Sequence, residues 1–175
     1  MARFDEEKAL NAMIYLAKKE GGRIGLYKLV KLVYFADKRH LHEWGRTITG
    51  DRFAKMRYGP TPSAVYDMIK AVRGDKDWER DLSAFFKVED DTIIPAADYH
   101  VNGDIFSDSE IEILDEISRK YEGCTFDEIM RDAHDKAWKD APCHFMDDYD
   151  LAEGDMCLIE YIQESAENER HFEAW

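Results

Sequence analysis

Residues 26–44 read Leu26-Tyr-Lys-Leu-Val-Lys-Leu-Val-Tyr-Phe-Ala-Asp-Lys-Arg-His-Leu-His-Glu-Trp44. Leu26, Leu29, Val30, Leu32, Val33, Phe35 and Ala36 cover most of the circumference of a helix, the pattern of an element surrounded on nearly every side. Lys28, Lys31 and Lys38 fall on the narrow face that remains, 31 and 38 being two turns apart. A lysine stripe on such a helix is either a wet seam or a binding edge. Gly45 stops it.

Working outward, Asp5 caps a preceding helix whose Leu10, Met13, Ile14 and Ala17 recur at i, i+3, i+4 and i+7, and Gly21-Gly22 ends it. After Gly45, residues 46–58 read as extended chain, with Ala54, Met56 and Tyr58 alternating with Lys55 and Arg57. Gly59-Pro60 is a turn, and Thr61 is expected to cap a third helix with Pro62 in its first turn and Val65, Met68, Ile69 and Val72 on its apolar face. Residues 85–88 and 92–95 flank the polar Glu89-Asp90-Asp91 as a short hairpin. Ser107 with Glu110, and Thr125 with Glu128, are capping boxes. The second of the helices they start is expected to run through Ala133 and Ala137-Trp138 to Pro142. A last helix carries Leu158, Ile159, Tyr161 and Ile162, with Phe172 and Trp175 left to dock. The expected fold is mainly α, a compact bundle of about six helices with a small antiparallel sheet or hairpin. Residues 1–175 form a single domain, of which 140–175 are an acidic C-terminal extension.

Charge is distributed unevenly. The 175 residues hold 24 Lys and Arg against 38 Asp and Glu, for a net charge of −14. Residues 1–88 carry 18 basic and 12 acidic side chains, whereas residues 89–175 carry 6 and 26. A chain this acidic repels nucleic acid and anionic lipid and prefers cationic partners, so no direct contact with nucleic acid and none with a membrane is expected. No apolar run reaches the roughly 20 residues of a membrane helix, and the N-terminus lacks a signal peptide, so a cytoplasmic location is expected. Cys124, Cys143 and Cys157 are odd in number and lack a Cys-x-x-Cys spacing, which argues against a disulfide framework. The six histidines complete no zinc pattern, so neither metal nor other cofactor is expected.

Chemistry is sparse. Asp132 and Asp135 flank His134, and either carboxylate could orient that imidazole as a general base, with Cys143 the only nearby nucleophile. This leaves a hydrolase or transferase as the alternative of another class. No phosphate-binding glycine loop occurs.

Three stretches carry a resemblance. Lys28-Leu-Val-Lys-Leu-Val-Tyr-Phe-Ala-Asp37, Tyr58-Gly-Pro60 with Val65-Tyr66 behind it, and His134 with Trp138 in Ala-His-Asp-Lys-Ala-Trp resemble the Panacea domain, the SocA-like antitoxin domain, in order and spacing. The resemblance implies a mainly helical, non-enzymatic protein that neutralises a small toxin encoded beside it, in bacteria or their phages. It does so by direct binding or, in one branch, by delivering the toxin to a cytosolic protease. The partners implied are therefore a cognate toxin and, for that branch, a protease component. The acidic C-terminal half suits a basic toxin, steering its approach. The residues expected at the partner surface are Lys28, Lys31, Tyr34, Arg57, Tyr58, Gly59, Pro60, Tyr66, His134 and Trp138.

Overall fold

The computed structural model describes residues 3–173, with side chains described as far as Asn168. Helix α1 (Glu6–Lys19) begins where the Asp5 carboxylate accepts the Lys8 amide, and it is followed by strand β1 (Ile24–Gly25) and the central helix α2 (Leu26–Trp44). Strands β2 (Phe53–Met56) and β3 (Gly59–Pro62) form a hairpin that leads into α3 (Ser63–Arg73). A second hairpin joins β4 (Phe86–Glu89) to β5 (Thr92–Pro95), as the sequence predicts, with Val88 opposite Ile93. After a short 3-10 turn come α4 (Asp108–Lys120), α5 (Phe126–Ala133), α6 (Lys136–Asp140), strand β6 (Phe145–Met146), α7 (Asp148–Leu151) and α8 (Met156–Glu173). The strands make two antiparallel three-stranded sheets, ordered β1-β5-β4 and β3-β2-β6. The result is an α+β fold in which helix predominates.

Helix α2 is the core. Residues 29–37, His40 and Leu41 are all buried, and α1, α4, α5, α7 and β3 pack around them. Gly45 takes a φ of 72° at its C-terminal end and returns its N–H to Leu41. The ring of Tyr161 from α8 lies where a Cβ on Gly45 would stand, so the glycine serves both the helix cap and the seating of α8. Both predicted capping boxes form, at Ser107 and Thr125. The side chain of Phe172 and the whole of Trp175 lie outside the described residues.

Three local expectations are corrected. Only residues 53–56 of the stretch 46–58 are strand, because the preceding loop spends its amides on two buried carboxylates. Asp37 Oδ1 accepts the amides of Ile48 (2.7 Å) and Thr49 (2.9 Å), and Asp51 accepts those of Arg52, Ala64 and Val65. Asp51 thereby caps α3 from outside, and Thr61-Pro62 belongs to β3 instead of starting that helix. The helix expected to run from Phe126 past Trp138 breaks at His134, where Asp135 turns to accept the Trp138 amide and begins α6. That break and the short α7 bring the α-helices among the described residues to eight, where about six are expected.

Candidate functional site

The turn between β2 and β3 is held in an unusual way. Five successive backbone carbonyls, from Met56 to Pro60, each meet a side chain from another element. Trp138 Nε1 donates to Met56 O (3.0 Å), and His134 Nε2 lies 3.0 Å from Arg57 O. Tyr27 Oη donates to Tyr58 O (3.2 Å), and Lys31 Nζ donates to Gly59 O (2.8 Å) and Pro60 O (2.5 Å). The motifs that carry the family resemblance are therefore parts of one clamp: α2 contributes tyrosine and lysine, and the α5–α6 segment contributes histidine and tryptophan.

The break after α5 aims the last two. The Asp135 carboxylate accepts from Tyr34 Oη (2.7 Å), Lys38 Nζ (2.8 Å) and the Trp138 amide (3.0 Å). Lys38 reaches on to Glu153 (2.6 Å), which accepts the Ala137 amide (2.9 Å). Burial first, and then Asp135, push the Tyr34 hydroxyl well above its ordinary range, so it stays a donor. The rings of His134 and Trp138 then stand 4.1 Å apart, side by side against the turn.

The clamp presents an exposed surface. Met56 (51%), Tyr58 (48%), Phe126 (45%) and Phe145 (49%) are among the most exposed large apolar side chains described. Phe126 lies 4.2 Å from the ring of Tyr27 and edge-on to Tyr58 at 5.8 Å. Arg57 stands over Tyr58, Arg52 over Phe145 and Lys55 over Trp138, at 5.1 to 5.4 Å.

The predicted site residues divide accordingly. Arg57 and Tyr58 lie on this surface, and His134 and Trp138 are half-buried beneath its edge. Lys31, Tyr34, Gly59 and Pro60 are buried, so this part of the expected partner surface is instead the underside of the clamp. Lys28 is half-buried and paired with Glu20 at 2.7 Å, and Tyr66 lies on α3 under Lys70. Reading the sequence missed Met56, Phe126 and Phe145 as surface residues and Tyr27 as a clamp. The position of Tyr27, just before the lysine motif, was the one available signal for it.

The alternative catalytic grouping does not assemble. His134 directs Nε2 to a backbone carbonyl, Asp132 accepts from Tyr121 (3.0 Å), and Asp135 is occupied as above. Among the described residues no group of three or more His, Cys, Asp or Glu side chains is placed to hold a metal ion. No described helix is long and apolar enough to cross a membrane. A cleft of about 510 Å³ opens behind Asp135. Lys38, Arg39 and Lys120 line it together with Glu116, Asp132, Asp135 and Glu153, so it favours neither sign of ion.

Lys31 is the least ordinary member of the clamp. It is 1% exposed, its three N–H groups meet Gly59 O, Pro60 O and, at 3.4 Å, Thr61 Oγ1, and the ring of Tyr27 lies 5.2 Å away. Burial lowers it from the ordinary 10.5 to about 7. The unfolded chain therefore binds a proton that the folded chain has released between about pH 7 and 10.5, so this group makes stability rise with pH across that window. Lys31→Met should lack the rise. Urea denaturation at several pH values should show wild type gaining stability relative to the variant from neutral to alkaline pH, and parallel curves would refute the depressed value.

None of the curated proteins and none of the solved structures is similar enough to this chain to match it. Residues 29–139, more than half of the chain, match the model of the antitoxin SocA-like, Panacea domain. That span holds the lysine helix from Leu29 onward, the clamped turn and the His134–Trp138 pair. The chain belongs to the SocA-like Panacea antitoxin family.

Proposed function

We propose that this antitoxin-family chain neutralises a cognate toxin by binding it directly, with the surface over the β2–β3 turn as the contact. One observation supports this above the others. Five carbonyls of a surface turn are fixed from behind, while Met56, Arg57 and Tyr58 are left facing outward beside Phe126. Rigid aromatic anchors lose little entropy on binding, and exposed Tyr, Met and Arg are the residue types enriched where proteins meet. The acidic C-terminal region, where residues 140–175 hold one arginine against eleven carboxylates, adds long-range attraction for a basic toxin.

The test is growth of cells that express the neighbouring reading frame, with and without this chain. Arrest by the neighbour, relieved by wild type, is expected. Tyr58→Ala with Phe126→Ala should weaken the purified complex by at least about 30-fold, as loss of two aromatic anchors does, while the fold is kept. Full rescue and unchanged affinity in that variant would place the contact elsewhere.

Delivery to a protease is the second reading. Trp44, Met156 and Tyr161 are also exposed, and Trp44 lies 13 residues beyond Lys31 on α2, about 20 Å along the helix axis. A protease component could use that end while the toxin occupies the turn. Toxin that disappears from cells in the presence of this chain, and persists when Trp44 and Tyr161 are both alanine, would mark that branch.

A further inference from the structure

We infer that the surface over the clamped turn grips an acidic, apolar segment of its partner, one in which Asp or Glu side chains stand beside aliphatic or aromatic ones. This rests on the reading that a protein partner docks there. It concerns the segment gripped, whatever the net charge of the toxin as a whole.

Carboxylates outnumber cations 38 to 24 in this chain, so a cation near the surface should readily find one. Twelve described lysines and arginines elsewhere do, among them Lys8 and Arg46 on Glu110, Lys38 on Asp135 and Glu153, and Arg73 on Asp75 and Asp91, while others such as Lys18 and Lys120 meet a carbonyl or a ring instead. Around the turn they do not. Among the described residues Arg52, Lys55 and Arg57 make no ion pair; their partners are the rings of Phe145, Trp138 and Tyr58 and, for Lys55, the carbonyls of Lys139 and Ala141. Three of the nearby carboxylates are committed elsewhere, whereas Asp127, next to Phe126, acts on Tyr27 through its charge. Asp51 is turned inward on the amides of α3, Asp135 is filled by Tyr34, Lys38 and the Trp138 amide, and Asp140 pairs with Lys136. Buried Lys31 adds a further charge beneath the turn when protonated.

A guanidinium stacked on a ring keeps its N–H edges free, and those edges match a carboxylate in two parallel hydrogen bonds. Arg52 and Arg57 each stand over a ring, at 5.1 and 5.4 Å, beside exposed apolar side chains that would dehydrate such a contact. A phosphate chain could also meet cations and aromatic rings. Three surface cations on a chain of net charge −14 give it little hold, and Met56 offers a base no ring to stack on.

The test is to pan a phage-displayed library of random peptides on the full chain and measure recovered peptides against wild type, R52E/R57E, R52Q/R57Q and Y58A/F126A. Peptides rich in Asp or Glu beside Leu, Phe or Trp are expected. Their affinity should fall by at least about tenfold in R52E/R57E, by less in R52Q/R57Q, and again in Y58A/F126A. Both arginines are exposed, and melting curves of the two charge variants should overlay that of wild type. Recovery of basic or uncharged peptides, or affinities indifferent to R52E/R57E, overturns the inference. So does binding of a short oligouridylate that R52E/R57E abolishes when no acidic peptide is recovered. Acidic peptides that behave as expected, together with toxin rescue that Y58A/F126A leaves intact, would uphold the inference and remove only the assignment of the toxin to this surface.

Discussion

Asp37→Ala is expected to destabilise the protein by about 3–5 kcal/mol, whereas Asp37→Asn should cost little and become the more stable form above neutral pH. The Asp37 side chain is wholly buried. Its Oδ1 accepts two backbone amides, Ile48 (2.7 Å) and Thr49 (2.9 Å), and its Oδ2 accepts the Thr49 hydroxyl at 2.5 Å. Alanine leaves two buried N–H groups and one hydroxyl without acceptors. It also frees the loop that carries Asp51, and with it the cap of α3 and the entry to β2. Asparagine keeps Oδ1 for both amides and can offer its N–H to Thr49 Oγ1, so the geometry survives without a charge. Burial, partly opposed by these hydrogen bonds, raises the carboxyl from the ordinary 3.8 to about 7. The folded chain thus keeps a proton that the unfolded chain has lost between about pH 4 and 7, and wild-type stability falls across that window through this group. Asp37→Asn has no such fall. Denaturant titrations at pH 5 and pH 8 should show the two proteins close at the lower pH and the asparagine variant ahead at the higher. A variant that parallels wild type at both would mean that the carboxylate is not penalised by burial.

What could be read in advance follows from the range of each signal. The buried character of α2 lies in its apolar period, the starts of α4 and α5 in capping boxes closed within four residues, and the second hairpin in two short apolar runs about a polar tip. Each of these is local. The break at His134 is not, because Ala133, Ala137 and Trp138 hold the helical period straight across it. What breaks the helix is an aspartate whose other partners, Tyr34 and Lys38, lie about 100 residues away. The same distance hides the fate of Lys31. By period it belongs to a polar stripe with Lys28 and Lys38, and only the carbonyls of a turn 28 residues later make it an interior residue.

The candidate site was legible in its membership more than in its sense. Lys31, Tyr34, Gly59, Pro60, His134 and Trp138 were all singled out, and all lie in the clamp or in the network that aims it. A family motif marks residues that must be present without saying whether they touch a partner or hold what does. Lys31, Tyr34, Gly59 and Pro60 do the holding. Met56 and Phe145, exposed over the turn, sit outside the motifs, and apart from the period-2 alternation at Met56 nothing in sequence separates them from ordinary surface residues.

Gly59→Ala is the variant expected to act most strongly on the turn. Gly59 has a φ of 95°, where an L-residue with a Cβ is strained by about 1–2 kcal/mol. A Cβ added there would also stand 2.8 Å from the Cβ of Ala133 and 3.5 Å from Lys31 Cε, so α5 or the turn must give way, at a further cost of about 1–2 kcal/mol. The two contributions can be separated. Ala133→Gly removes the overlap and leaves the strained φ, so the double variant should recover part of the stability lost in Gly59→Ala and no more. Binding should respond differently, because the turn moves as a unit with its five tethered carbonyls. A shift of the Gly59 backbone lengthens the Lys31 contacts first and turns Tyr58, the preceding residue, away from Phe126. Toxin affinity should therefore fall by about 100-fold or more in Gly59→Ala, well beyond what its loss of melting temperature alone would bring. It should return toward wild type with the double variant only as far as the turn returns. Gly59→Ala with normal affinity and normal melting would mean that the turn is slack and that the clamp does not set the surface.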